Sequence, residues 1–367
     1  MSRLAILTSG GDAPGMNAAI RAATLIGLSK GVEILGVERG YRGLLAGSFR
    51  PLVADQVTSI LREGGTILGT SRCPEMHDRA ARDRARAHLA AAGVESILVI
   101  GGNGSLTGAL ALTSPDELGD QVLRAVTIPA SIDNDVGLTS LAIGVDTAMN
   151  TIVEACDKIA DTASSHGRTF LIEVMGRDSG YLAMTSAIAS GADIILFPEA
   201  DRTEEELIES IVRAVLAVRQ RAGRPRRVIA IKAEGVQVAT ERLKREVDER
   251  IQRASGQPAG EVETRVTVLG HVVRGGRPSA FDRLLGSRLA NVAVRALLAG
   301  ETRVMAAWMP PVDVDPAVGR RSSADPYCWL IDLPTVLAET KRLLSHESQL
   351  ARWRATVFDE LGDVFLL

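Results

Sequence analysis

The chain has 367 residues, 46% of them hydrophobic, which exceeds the usual single-domain size and supplies enough apolar material for two packed domains. A net charge of -3 with 24% charged residues excludes a field strong enough to make nucleic acid or a membrane the main partner, so any anion site must be local. The three cysteines, Cys73, Cys156 and Cys328, form an odd set without a CxxC pair, which argues against a disulfide framework or a structural zinc and for a reducing compartment.

The opening MSRLAILTSG runs straight into a short strand and a glycine turn, leaving no room for a signal peptide's hydrophobic region. No apolar run reaches the roughly 18 residues that span a bilayer, so a soluble, cytoplasmic protein is expected. That first strand, Leu4 to Leu7, leads into Thr8-Ser9-Gly10-Gly11-Asp12-Ala13-Pro14-Gly15-Met16-Asn17 and an alanine-rich helix. Adjacent glycines after a strand let backbone N–H groups approach a phosphate, and the helix N-terminus adds its positive end; the alternative is a tight turn without chemistry. Neither GxGxxG nor GxxxxGK[ST] is present. After a second strand, Glu33 to Val37, a third, Ser96 to Ile100, repeats the device with Gly101-Gly102-Asn103-Gly104-Ser105 before a helix starting near Leu106.

The strand Leu123 to Ile128 runs into Pro129-Ala130-Ser131-Ile132-Asp133-Asn134-Asp135. Two carboxylates two residues apart, after a hydroxyl, suit a base and a Mg²⁺ ligand, the two tasks of phosphoryl transfer; a turn or a calcium-like loop is the other reading. A helix from Asp146 to Ser165 buries Ala148, Ile152, Ala155 and Ile159 at helical spacing. Strands at Thr169 to Val174, Ile194 to Phe197 and Val228 to Ile231 follow. The Arg-rich run from Arg219 to Arg227 reads as a solvated helix end and loop. A helix from Ala280 to Leu298 presents Phe281, Leu284, Leu285, Leu289, Val292 and Ala296, and the stretch from Leu350 to Leu367 is amphipathic and fit to pack on the body or on a partner subunit. The alternation predicts an α/β fold with mainly parallel sheets covered by helices on both faces, ligands collecting at the carboxyl ends of strands.

Together GGDAPGMN, PASIDND and EVMGRDSG resemble the phosphofructokinase family, with a match from Ile6 to about Gly300. The resemblance implies two three-layer α/β/α domains: a nucleotide domain of residues 1–144 plus about 273–305, and a sugar-phosphate domain of 145–272 plus about 306–367. It implies a glycolytic kinase that phosphorylates fructose 6-phosphate, with Asp133 taking the proton of the 1-hydroxyl, Asp135 and Asn103 at the Mg²⁺ position and Ser131 standing where a threonine meets the transferring phosphate. Gly11 and Arg72 would brace the transferring and donor phosphates. Tyr41, Cys73, Gly102, Gly104 and Ser105 fall where the family holds the nucleotide. Arg168, Met175, Gly176, Arg177, Glu234, Arg265, His271 and Arg274 fall on the sugar-phosphate side, where guanidinium forks suit a 6-phosphate. Because the family's counterparts of Arg168 and Arg265 reach into a neighbour's site, a homotetramer, or at least a dimer, is implied.

Pyrophosphate users in the family resemble GGDD and PKTIDND; here those positions are Gly104 and Ala130, small and uncharged, so ATP is the expected donor. Asn103 replaces the family's usual Asp and implies weaker Mg²⁺ binding. Leu25, Ala54 and Ser59, beside Arg21, stand where the bacterial regulatory site has charges, so that site is not carried over. Insertions at Thr113 to Leu118, at Arg219 to Arg227 and after Pro310 lie outside the short bacterial pattern. Three alternatives stay open in the sequence: a pyrophosphate donor, another acceptor such as sedoheptulose 7-phosphate, and a non-catalytic regulatory paralogue.

Overall fold

A computed structural model describes residues 3–220, 227–256, 263–311 and 318–365. Its strands, in chain order, are β1 (Arg3–Ser9), β2 (Glu33–Val37), β3 (Phe49–Pro51), β4 (Ser96–Gly101), β5 (Arg124–Pro129), β6 (Thr169–Val174), β7 (Ile194–Leu196), β8 (Val228–Ala233), β9 (Thr264–Val268), β10 (Val304–Trp308), β11 (Gly319–Ser322) and β12 (Asp325–Asp332). The chain divides into two units. One holds residues up to Thr147 and Arg274–Leu343; the other holds Ala148–Val273 and the tail from Leu344.

The first unit is built on a sheet in the order β11-β12-β10-β5-β4-β1-β2-β3. Its centre, β2, β1, β4, β5 and β10, is parallel, and only β3, β12 and β11 pair antiparallel. Leu4 to Leu7 and Ile97 to Ile100 are wholly buried, as unbroken apolar runs must be when helices cover both faces of a sheet. The helices Met16–Ser29 and Ala280–Leu298 pack together. Gly286 permits their close approach, since a Cβ there would lie 3.0 Å from Gly15 O and 3.2 Å from Ala19 N. Ser279 caps the second helix, its hydroxyl accepting from Asp282 N at 3.1 Å.

The expected division of the chain differs from this one in its C-terminal part. Residues 306–343, expected with the sugar-phosphate domain, belong to the first unit, because β10 pairs in parallel with β5 and antiparallel with β12 and so extends the first sheet. The helix Leu333–Leu344 is fixed there as Thr340 Oγ1 accepts from Gly137 N at 2.8 Å.

The second unit holds a four-stranded, all-parallel sheet in the order β7-β8-β6-β9. Leu171, Ile211, Leu243, Val247 and Ile251 lie in its core, contributed by β6 and the helices Glu204–Gln220 and Thr240–Ser255. Glu204, Glu205 and Glu206 fill the first turn of one helix, where carboxylates complement the positive helix end. The tail helix Gln349–Phe365 realises the amphipathic stretch expected from Leu350 to Leu367, of which 366 and 367 lie outside the described residues. Most of the Arg-rich run, 221–226, lies outside them too.

Candidate active site

Three loops of the first unit are brought together by strand order alone. β1, β4 and β5 are neighbours in one parallel sheet, and their last residues are in register, Ser9 with Gly101 and Gly101 with Pro129. Their carboxyl ends therefore deliver the Gly10, Gly102 and Ser131 loops side by side. Ala130 N donates to Gly101 O at 3.0 Å. A Cβ on Gly10 would lie 3.3 Å from Ser105 Oγ, and one on Gly102 would lie 3.6 Å from Ser131 Cβ.

In the first loop Gly10 has φ +91°, a left-handed conformation that glycine adopts without strain, and Gly11 is exposed. Arg274 lies over Gly11: a Cβ there would collide with its guanidinium, whose Nη1 donates to Asp12 O at 3.3 Å. Arg274, expected as a sugar-phosphate ligand carried by the stretch 273–305 of the nucleotide domain, lies in the first unit, and its hydrogen bond ties it to the Gly11 loop. The loop carrying Arg72 is bolted beside it. Thr8 Oγ1 donates to Gly69 O at 2.9 Å, Thr70 Oγ1 to Gly10 O at 2.7 Å and Ser71 Oγ to Arg39 O at 2.7 Å. Asn17, 1% exposed, donates to Glu63 O and Gly64 O and accepts from Ile67 N. Arg72 itself is exposed on this fixed base.

The second loop opens the helix Asn103–Leu112. Gly104 is exposed, and a Cβ there would meet nothing within 4 Å, whereas Ser105 Oγ is buried and makes no hydrogen bond with the described residues. Tyr41, expected beside the nucleotide, is 3% exposed. Its hydroxyl donates to Ser105 O at 2.7 Å, its ring faces Gly108, and burial pushes its pKa up. It supports the Ser105 loop from behind. Cys73 is half-buried against the first unit's core; burial, then a hydrogen bond with Glu75, push its pKa up and keep it a thiol.

In the third loop Asp133 is 5% and Asp135 7% exposed. Ser131 Oγ donates to Asp135 Oδ1 at 2.7 Å. Asn134 sits at φ 49° and is held there by its side chain, which donates to Ser140 O at 3.1 Å and accepts from Ala142 N at 3.0 Å. This clamp sets the direction of the carboxylates on either side. Among the described residues no cluster of three or more His, Cys, Asp or Glu forms a metal cage. Asp135 and Asn103 nevertheless fit magnesium, a hard cation that takes one or two carboxylates and completes its shell with phosphate oxygens and water.

The second unit carries the other expected residues. Gly176 N and Arg177 N donate to Glu234 Oε1 at 3.3 and 2.8 Å, and Glu234 N donates to Val174 O at 2.8 Å. The Met175–Arg177 turn and Glu234 are thereby one piece, with Met175 buried and Arg177 exposed. Glu234 also lines a cavity of about 390 Å³ with Glu173, Lys232 and Thr240. Lys232, 2% exposed, donates to Glu173 Oε2 at 3.2 Å, and the Thr240 hydroxyl donates to the same oxygen. Arg168 is half-buried where the helix Val145–His166 turns into β6. Arg265, on the edge strand β9, is exposed and pairs with Glu263 at 2.7 Å, and His271 is exposed on the turn Gly270–Arg274.

Sequence reasoning missed the residues that hold these loops. Asn17, Thr8, Glu199 and Lys232 act on backbone or charge far away in the chain, and only the Asn at the end of GGDAPGMN carried a local signal. Glu199 accepts from Gly180 N at 2.8 Å. Asp282, wholly buried in the helix Ala280–Leu298, accepts from Gly144 N at 2.7 Å and Thr147 N at 2.8 Å; burial raises its pKa.

A family model described as phosphofructokinase matches residues 3–297. The ATP-dependent 6-phosphofructokinase of Thermotoga neapolitana is 45% identical over 307 residues, 84% of this chain and 90% of that protein. That of Clostridium botulinum strain Alaska E43 is 44% identical over 329 residues, 89% of this chain and 96% of that one. The crystal structure of Pichia pastoris phosphofructokinase in the T-state matches with a TM-score of 0.83 at 31% identity; the match takes in 99% of this chain, which spans 39% of the Pichia chain. No helix among the described residues is long and apolar enough to cross a membrane.

Proposed function

The chain belongs to the phosphofructokinase family, and we propose that it is an ATP-dependent 6-phosphofructokinase whose general base is Asp133. It transfers the terminal phosphoryl group of ATP to the 1-hydroxyl of fructose 6-phosphate, a phosphorylation of glycolysis. The observation that carries this reading is the juxtaposition of the Gly11, Gly104 and Asp133 loops at the carboxyl ends of three adjacent parallel strands.

Asp133 accepts the proton of the acceptor hydroxyl as its oxygen attacks the phosphorus, and the bond to the leaving ADP oxygen breaks. The Gly11 N–H and the Arg72 guanidinium stabilise the charge on the transferring group. Ser131, whose hydroxyl donates to Asp135 Oδ1, turns that hydroxyl to donate to an oxygen of the transferring phosphate. Asn103 and Asp135 would hold magnesium, which would supply charge neutralisation at the donor phosphates. Gly104 and Ser105 seat the nucleotide, supported by the open space at Gly104 and the unbonded Ser105 hydroxyl; Gly102, Tyr41 and Cys73 shape that seat from behind. Gly104 leaves room for the nucleotide's α-phosphate where a carboxylate would repel it, and the buried Ala130 lacks the ammonium that would hold a smaller donor, which favours ATP over pyrophosphate. In the second unit Arg177, Arg168, Arg265 and His271 bind the 6-phosphate, and Met175, Gly176 and Glu234 take the sugar. Arg168 and Arg265 serve a neighbouring subunit's site in a cytoplasmic homotetramer, or at least a dimer. This is supported by the exposure of Arg265 and Val268 along the edge of the second sheet and of Val272 in the turn that follows.

The test is Asp133→Asn with ATP and fructose 6-phosphate. The account expects kcat to fall by about 10²–10⁴-fold, the range for a lost general base, with the KM for both substrates little changed. Undiminished turnover would remove Asp133 from the chemistry.

A further inference from the structure

The loop that carries Arg177 is held from two parts of the second unit. Glu234 fixes its start through Gly176 N and Arg177 N, and Glu199 fixes Gly180 N at 2.8 Å. The C-terminal tail grips its far half. His346 Nε2–H donates to Asp178 O at 3.4 Å, and the Arg354 guanidinium lies 4.6 Å from the centre of the Tyr181 ring. Both tail residues lie beyond the span of the family model, which ends at residue 297.

Arg354 is an unfavourable residue for mere packing. It is 7% exposed, and its Nη1 is buried with no hydrogen-bond partner among the described residues. A desolvated guanidinium with an unsatisfied donor destabilises relative to an apolar side chain of similar length. Burial accordingly lowers its pKa, opposed by Tyr181 and the charge of Glu199. What the charge provides is attraction to the Tyr181 face and support for the carboxylate that anchors Gly180. Arg177 itself sits at φ 48°, a left-handed conformation that a non-glycine residue keeps only where its surroundings over-determine it.

We propose that Arg354 and His346 are positioning residues: the tail braces Asp178 to Tyr181 and so holds Arg177 in the conformation that meets the acceptor's phosphate. The proposal rests on the reading of Arg177 as an acceptor ligand. Neither tail residue touches the reacting atoms.

The test uses full-length Arg354→Met, which keeps volume and removes charge. The expected result is a KM for fructose 6-phosphate raised about five- to thirtyfold, the span of a cation–π contact from a partly solvated to a desolvated site. The KM for ATP should be unchanged, Tm unchanged or higher, and ligand-free amide exchange faster across residues 175–181. Tyr181→Leu should reproduce the effect, Tyr181→Phe should be silent, and Arg354→Lys should recover part of it. The double variant Arg354→Met with Tyr181→Leu should be no worse than either single one. Wild-type exchange at residues 175–181 together with a wild-type fructose 6-phosphate KM in Arg354→Met would overturn the brace. So would a fall in Tm with both KM values rising together. Were the unaltered protein not to turn over fructose 6-phosphate, the acceptor reading would fail on its own, and the exchange measurement would still decide whether the tail holds the loop.

Discussion

Asp133 and Asn103 stand at adjacent strand ends and carry different demands. In the proposed mechanism Asp133 works through a proton, and its neighbours in the chain are fixed by the Asn134 clamp and the Ser131–Asp135 hydrogen bond. Asn103 offers a neutral amide oxygen where a carboxylate would bring a full charge. Restoring that charge with Asn103→Asp should lower the Mg²⁺ concentration for half-maximal rate by about fivefold, the effect of roughly 1 kcal/mol of Coulomb attraction in a solvated site. A Mg²⁺ titration of both proteins at saturating ATP checks it, and an unchanged midpoint would remove Asn103 from the metal shell. Tyr41 is a different kind of residue, hidden behind the loop it holds. Tyr41→Phe deletes one hydrogen bond to Ser105 O, leaving that carbonyl short of a partner. The KM for ATP should rise by about two- to tenfold, given a net value near 1 kcal/mol for such a bond, while the KM for fructose 6-phosphate stays put.

At the scale of elements, the insertion from Thr113 to Leu118 is a lock within the first unit. Its short helix Pro115–Leu118 presents Glu117 to two arginines of the helix Arg79–Ala91, bonding Arg82 Nη2 at 2.5 Å and the buried Arg86 Nη2 at 2.5 Å. Hydrogen bonds from Arg82 and Arg86 hold the Glu117 pKa down, from the ordinary 4.5 to about 2. A carboxylate depressed in the folded state contributes stability that is present above its unfolded pKa and is lost as pH falls through the folded one. The unaltered protein should therefore lose this contribution between pH 4.5 and about 2, and Glu117→Gln should flatten that part of its urea-midpoint-against-pH curve. Equal slopes in the two proteins would show that the pair contributes nothing. The same scale shows what the sequence made legible. The apolar runs announced β1, β2, β4, β5, β6, β7 and β8 because a strand buried on both faces needs no partner's identity to be recognised. The helix from Ala280 to Leu298 followed from its periodicity. Strands β3, β9, β11 and β12 escaped because they are edge or antiparallel strands with mixed polarity, whose state is decided by the strand they meet; β10 is a short apolar run that periodicity alone does not separate from a buried helical segment. The three loops were legible as phosphate chemistry through their glycines and paired aspartates. Their adjacency was not, since it follows from strand order, and the residues that bolt them, such as Asn17 and Thr8, make bonds 46 to 61 residues away in the chain.

For the whole molecule the account requires more than one copy. If Arg265 serves a neighbour's site while Asp133 serves its own, Asp133→Asn and Arg265→Ala subunits should each be inactive alone. Mixed after reversible dissociation, they should recover about a quarter of the sites, the statistical share when each site draws one residue from each subunit of a symmetric interface. No recovery, with mixed oligomers verified by mass, would place Arg265 on its own subunit's acceptor. The central claim is met most directly by one assay of the purified protein. ATP, GTP and pyrophosphate are each paired with fructose 6-phosphate and with sedoheptulose 7-phosphate at saturating Mg²⁺, and product is followed by phosphorus NMR. The account predicts that kcat/KM is highest for ATP with fructose 6-phosphate, giving the 1,6-bisphosphate. Product with pyrophosphate alone, a preference for the seven-carbon acceptor, or no product from any pair would contradict it.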